Sequence, residues 1–162
     1  MVNLNVFWTR PQSYYDSGDW RGTWEFDGGA FMNQASHYVD LLDWMVGPVE
    51  SVQAYTATLA RNIEVEDTGV VSVKWRSGAL GSMNVTMLTY PKNLEGSITI
   101  IGETGSVYGY GHRLYYDNVI STLRGRVEAD TDGREGLRSL ELLIAIYLSA
   151  RDARRVSLPL DH

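Results

Sequence analysis

The sequence predicts an α+β domain in two layers, a largely antiparallel, open-faced β-sheet with helices packed on one face. Three observations predict it. Several segments rich in β-branched and aromatic residues alternate apolar and polar side chains, as half-buried strands do. Two longer stretches repeat their apolar residues at the helical period instead. The segment "ALGSMNVTML" sets Ala79, Gly81, Met83, Val85 and Met87 against Leu80, Ser82, Asn84, Thr86 and Leu88, so one sheet face suits a core and the other is mixed.

The elements follow in order. Val2, Leu4, Val6 and Trp8 alternate through a first strand, Val2 to Arg10. The stretch "RPQSYYDSGDWRGTWEFDGG", Arg10 to Gly29, is too irregular for either period and reads as a long loop of the kind that lines sites. A helix is expected from Ala30 to Val46, stopped by Gly47-Pro48 with glycine in a left-handed cap. Four strands then read as "VESVQAYTATL", "DTGVVSVKWR", "ALGSMNVTML" and "GSITIIG", most simply a meander, with Ser77-Gly78 as a hairpin turn. Helices are expected at "LYYDNVISTLRG" and "DGREGLRSLELLIAIYLSARD", the latter with Leu137, Leu140, Leu143, Ile144, Tyr147 and Leu148 as its apolar stripe. "RRVSLPL" offers a short closing strand. Residues 1–162 are expected to form one domain.

Composition narrows the partners. With 14 Lys and Arg against 20 Asp and Glu, the net charge is -6, which gives no basic footprint for nucleic acid or anionic lipid. The apolar run "LLIAIYL" is far short of the roughly 20 residues that span a bilayer. There is no cysteine, which excludes disulfides and thiolate metal sites and fits a cytoplasmic location. The N-terminus lacks the pattern of a secretory signal.

The first helix carries the chemical question. Phe31, Ala35, Tyr38, Leu42 and Met45 make a core stripe, while Asn33, His37, Asp40 and Trp44 recur on a separate face. A merely solvated face would use Lys, Glu and Arg, and none occurs from Gly28 to Pro48. Histidine suits proton transfer near neutral pH, and the glycine pair before the helix suits close approach of a ligand to backbone N–H groups. A helix histidine serves structure as readily as chemistry, so the residues alone leave both readings open. His37, His112 and His162 are too far apart in sequence for a helical metal motif. There is no GxSxG, and "GYGHRL" lacks the third glycine of a dinucleotide fingerprint.

The helix "GGAFMNQASHYVDLLDWMVGPVESV", the hairpin "EDTGVVSVKWRSGALGSMNV", the segment "ITIIGETGSV" and the tail "DGREGLRSLELLIAIYLSARDARRVSLP" together resemble the C-terminal domain of the glucose-fructose oxidoreductase, inositol dehydrogenase and MocA family. The stretch "WTRPQSYYDSGDWRGTWEFDGGAFMNQASHYVDLL" is most similar to the bacterial nucleotide-sugar dehydrogenases that oxidise C3 of UDP-N-acetyl-glucosaminuronic acid. The resemblance implies a catalytic-type histidine at His37. It places Asn33 where the family often has Asp, followed by Asp40, with Ala30 in place of a usual third glycine. Arg10, Tyr14, Tyr15, Trp20 and Arg21 become candidate sugar contacts.

The same resemblance implies an NAD-binding Rossmann domain and an EKP lysine in the intact parent, and neither is visible here. No cofactor is therefore expected for this chain alone, and the chain alone is not expected to be a working dehydrogenase. Family members use the open sheet face for homodimers or higher homo-oligomers. Relatives also carry a longer excursion around "GETGSVYGYGHRLYYDNV". An excised, engineered domain and a natural fragment both account for these departures. The rival reading is a designed, self-associating open-sheet scaffold with no ligand.

Overall fold

A computed structural model describes residues 1–110 and 133–160. Seven strands form one sheet: β1 (Val2–Phe7), β2 (Val49–Ala57), β3 (Thr68–Trp75), β4 (Leu80–Thr86), β5 (Glu95–Ile101), β6 (Ser106–Tyr110) and β7 (Val156–Ser157). The helices are a single turn, α1 (Gln12–Tyr15), then α2 (Ser36–Val46), entered through a π-helical turn at Ala30–Ala35, and α3 (Gly133–Asp152). The helix expected at "LYYDNVISTLRG" lies outside the described residues.

The sheet order is β6-β5-β1-β4-β3-β2-β7. Every neighbouring pair is antiparallel except β1 with β4, which is parallel. This gives the largely antiparallel open sheet that the sequence predicts but corrects the simple meander. β2, β3 and β4 do follow one another through hairpin-type pairing, whereas β1 inserts between β4 and β5. The two faces of β1 explain why it can sit there. Val2, Leu4 and Val6 are buried, while Asn3 and Asn5 bond to both neighbours across the opposite face.

One sheet face carries the core. Val71, Val73, Trp75, Met83, Val85 and Met87 are buried beneath the helices, as the alternation of β3 and β4 requires. From α2 come Tyr38, Val39, Leu41 and Leu42, with Phe31 and Ala35 from the π turn. Met45 is only half-buried. The stripe of α3 differs from expectation. Leu142, Leu143, Ala145 and Ile146 are buried, whereas Leu137, Leu140 and Ile144 are 65%, 44% and 40% exposed. Two serines set this rotation. Ser139 Oγ donates to Asp40 Oδ1 at 2.7 Å, and Ser149 Oγ accepts from Ala54 N at 2.9 Å, so small polar residues hold α3 close against α2 and β2. Among the described residues, no helix is long and apolar enough to cross a membrane.

The other face is open. Its centre is a polar ladder in which Ser82 donates to Asn3 at 2.9 Å, Asn84 to Asn5 at 3.0 Å, and Asn5 to Glu95 at 3.1 Å. Exposed apolar side chains flank it: Tyr55 and Val70, which are register partners, on one side, and Ile101 and Tyr108 on the other.

Candidate functional site

The polar row of the first helix separates into three jobs. Asp40 accepts from Ser139 and so belongs to the contact between α2 and α3. Asp43, off that row, is 4% exposed and pairs with Arg138 Nε at 3.1 Å, also between these helices. Asn33 Nδ2 donates to Asp27 Oδ1, and Asp27 Oδ2 accepts from Gly22 N at 2.6 Å, so Asn33 ties the π turn to the end of the long loop. His37 alone of the row is exposed. It lines a groove of about 320 Å³ with Met32, Ser36, Asp40, Ser139 and Leu140.

The loop brings its candidates to His37 through a chain of rings and cations. The Arg21 guanidinium lies 4.4 Å from the Trp20 ring centroid and 4.2 Å from that of Tyr14. Arg10 lies 5.1 Å from Tyr14 and 5.1 Å from Trp8. Trp8 in turn stands 5.9 Å from the His37 ring, which is 4.6 Å from Tyr38. Cation–π contacts of this kind contribute about 0.5–1 kcal/mol at exposed sites and fix the planes of the guanidinium groups. Gln34 clamps the middle, accepting from Arg10 at 2.9 Å and donating to the Tyr14 hydroxyl at 3.2 Å. Arg61 Nε donates to Arg10 O at 2.7 Å and anchors the strip from the far loop.

Trp20, Arg21, Tyr14, Arg10 and His37 are thus brought together, whereas Asn33 is turned to Asp27, whose other oxygen accepts from Gly22 N beside Arg21. Tyr15 is placed differently. It is 7% exposed and packs edge-on against Tyr14 at 5.1 Å, so it reaches the strip only through its neighbour. Burial, reinforced by Asp27, pushes its phenol up to about 12 and keeps it neutral.

Three residues of the site escaped sequence reasoning. Trp8 reads as one more apolar residue of β1, and nothing in the alternation marks it as the bridge to His37. Gln34 is detectable only as a polar residue beside a core stripe. Glu66 carries no local signal at all, yet it decides how the helix begins. It is 4% exposed, and its Oε1 accepts from Phe31 N at 2.9 Å and from the Tyr147 hydroxyl at 2.9 Å. Burial pushes its carboxyl up to about 7 against the hydrogen bonds that favour the charged form.

Glu66 also corrects the reading of the glycine pair. At Gly29, with φ of +86°, an added Cβ would lie 2.1 Å from Glu66 Oε2. The glycine admits the protein's own carboxylate, not a ligand, to the amides of the helix start. Ala30 N bonds to Glu66 O at 3.2 Å and Met32 N to the Tyr147 hydroxyl at 3.2 Å, so these donors are taken. A dinucleotide diphosphate needs such amides open at a helix N-terminus. The turn at Ala30–Ala35 therefore offers a diphosphate no open amides at Ala30, Phe31 or Met32. The described residues gather no group of three His, Asp or Glu for a metal, and His112 and His162 lie outside them.

Residues 1–108 match the GFO/IDH/MocA C-terminal domain, and residues 103–158 match the C-terminal alpha/beta domain of an oxidoreductase family. No curated protein sequence matches. Among solved structures, the WlbA dehydrogenase from Chromobacterium violaceum, in complex with NADH and UDP-GlcNAcA, is 73% identical over 100% of this chain, with a TM-score of 0.85. The WlbA dehydrogenase from Bordetella pertussis, in complex with the same two ligands, is 66% identical over 99% of this chain, with a TM-score of 0.86. This chain spans 55% of the length of each. A levoglucosan dehydrogenase shares the fold, with a TM-score of 0.79 at 15% identity. By the family match and these identities, the chain belongs to the GFO/IDH/MocA oxidoreductases, as a C-terminal domain of that family.

Proposed function

We propose that this chain is the substrate-binding and oligomerisation domain of an NAD-dependent nucleotide-sugar 3-dehydrogenase, inactive by itself. The observation that carries the reading is the continuous strip from Trp20 through Arg21, Tyr14, Arg10 and Trp8 to His37. Two guanidinium groups suit the negative charges of a UDP-sugar acid, and the exposed Trp20 ring with the half-buried Tyr14 and Trp8 rings suits its base and sugar faces. At the end of the strip His37 is placed to hold or move a proton at a sugar hydroxyl, with Asn33 orienting the ring. Hydride transfer needs a nicotinamide held against the sugar carbon, and the capped start of α2 supports placing that cofactor on other residues than these. The absence of cysteine supports a reducing, cytoplasmic setting.

Titration of the chain with UDP-N-acetyl-glucosaminuronic acid, followed by NMR, tests the reading. Shifts at Arg10, Tyr14, Arg21, Asn33 and His37 are expected, and their absence at millimolar ligand rejects ligand binding by this chain.

The open face supports the oligomerisation half. Tyr55 at 65% and Val70 at 48% exposure form an apolar patch beside a flat polar ladder, an arrangement suited to a second sheet face. The same patch favours one rival, an excised or designed scaffold that only self-associates. Light scattering decides the first point, since a monomer at tens of micromolar removes both oligomeric readings. A stable oligomer with no ligand shifts favours the scaffold.

A further inference from the structure

The start of α2 holds a hydrogen-bond group whose count of hydrogens does not close by itself. The Tyr147 hydroxyl accepts from Met32 N at 3.2 Å and faces two acceptors, Gly28 O and, at 2.9 Å, Glu66 Oε1. A phenol has one hydrogen to give. With Glu66 ionised, one of these contacts sets two acceptors against each other without a proton. With the proton on Glu66 Oε1, Glu66 donates to Tyr147 and Tyr147 donates to Gly28 O. Oε1 still accepts from Phe31 N at 2.9 Å, and every contact then has its hydrogen. Glu66 Oε2 has no hydrogen-bond partner among the described residues, and although the nearby amides of Phe31, Glu66 and Ala30 favour the charged form, burial outweighs them.

We propose that Glu66, acting with Tyr147, is a positioning residue whose proton sets the π-helical turn at Ala30–Ala35 and thereby the place of Asn33. The consequence for substrate rests on the ligand-binding reading of the Asn33 and His37 face. Glu66 reaches this turn from the loop just ahead of β3 and Tyr147 from α3, so the turn is fixed by two segments distant in sequence. Loss of the proton leaves either Gly28 O or the Glu66–Tyr147 contact without a hydrogen, and Asn33, two residues past Phe31 and bonded to Asp27, shifts as the turn readjusts.

The charged neighbours do not compensate. Asp27 from the loop is 7% exposed and already bonded to Gly22 and Asn33, and Asp67 is held by the amides of Leu59, Ala60 and Arg61. The turn itself carries no charged side chain, and Arg151 of α3 is paired with Asp152. Among the described residues no Lys or Arg forms an ion pair with Glu66. With burial raising its carboxyl to about 7, both protonation states are populated near neutral pH.

The test is a pH series of ¹H–¹⁵N spectra of the full chain from pH 5.5 to 9, without ligand. The Phe31 backbone amide and the Asn33 side-chain amide are expected to move together with a midpoint near 7. Glu66→Gln removes that inflection, and Tyr147→Phe, which deletes the hydroxyl that Glu66 shares its proton with, displaces its midpoint. A wild-type chain with no inflection at these two groups overturns the proposal, as does an inflection at Asn33 that persists in Glu66→Gln. Should Glu66→Gln fail to fold, an unchanged midpoint in Tyr147→Phe overturns it instead. A second series adds UDP-N-acetyl-glucosaminuronic acid at pH 6 and 8.5. Severalfold weaker binding at the higher pH is expected in wild type and a smaller change in Glu66→Gln, and equal curves overturn the role in binding. If the ligand does not bind at all, the ligand reading fails while the first series still decides the positioning role.

Discussion

The two ends of the first long helix are built on glycines of almost the same conformation and on opposite physics. Gly29 has φ +86° and ψ -173°, and Gly47 has φ +92° and ψ -171°. Both lie in a region that only glycine adopts readily. Gly47 is therefore not in the left-handed helical cap that the sequence suggests, although the helix does end at Val46, with Gly47 N bonded to Asp43 O at 2.8 Å. Around a Cβ at Gly47 there is nothing within 4 Å, while at Gly29 there is the Glu66 carboxylate. One glycine turns the chain, whereas the other turns it and makes room. The end that makes room bears Asn33 and lies beside the candidate site, and the end that only turns the chain leads into β2.

Substitution at the two glycines tests this difference directly. Gly29→Ala combines an unfavourable backbone with a collision against a buried carboxylate and is expected to cost about 4 kcal/mol or more in urea unfolding. In a Glu66→Ala background the same change is expected to cost only about 2 kcal/mol, because the backbone term alone remains. An undiminished cost would mean that Glu66 is not what Gly29 accommodates.

The next effect is the pH dependence of stability. Glu66 is raised in the folded state from 4.5 to about 7, so its stabilising contribution is complete below about 4.5 and is lost as pH rises through about 7. The swing between pH 5 and 8.5 is expected to reach about 3 kcal/mol at most. Glu66→Gln should remove this share of the pH dependence, and denaturant midpoints measured at the two pH values would show whether it does.

Gly47→Ala is expected to cost about 2 kcal/mol, the backbone term without a collision, and to leave ligand shifts unchanged. The smallest stability effect belongs to His37→Ala. Its exposed ring contributes little to the core, so the loss should stay within about 0.5 kcal/mol, while ligand shifts at Trp8 and Arg10 weaken. A loss of several kcal/mol would place His37 among the packing residues.

Much of the architecture was legible because burial writes itself as periodicity. Val71, Val73 and Trp75 alternate with exposed Val70, Ser72 and Lys74, and the structure buries the first set. Helix α3 was legible as a helix but not in its rotation. Leucines occur all round it, and Ser139 and Ser149, which a hydrophobic pattern ignores, choose the buried side. Of the polar row on the first helix, spacing identified the residues but could not separate Asp40, turned to α3, from His37, turned to Trp8.

By itself the sequence determined the strand faces, the extent of the first helix and the identity of the loop that carries Arg10, Tyr14, Trp20 and Arg21, because these follow from local chemistry and from periods of two and 3.6 residues. Only the tertiary structure decided that β1 lies between β4 and β5, that Trp8 links Arg10 to His37, and that Glu66 occupies the amides beside Gly29. Apart from the local Arg10–Trp8 contact, these join residues nearly 30 or more positions apart, and a pattern read over one or two turns of chain contains no term for them.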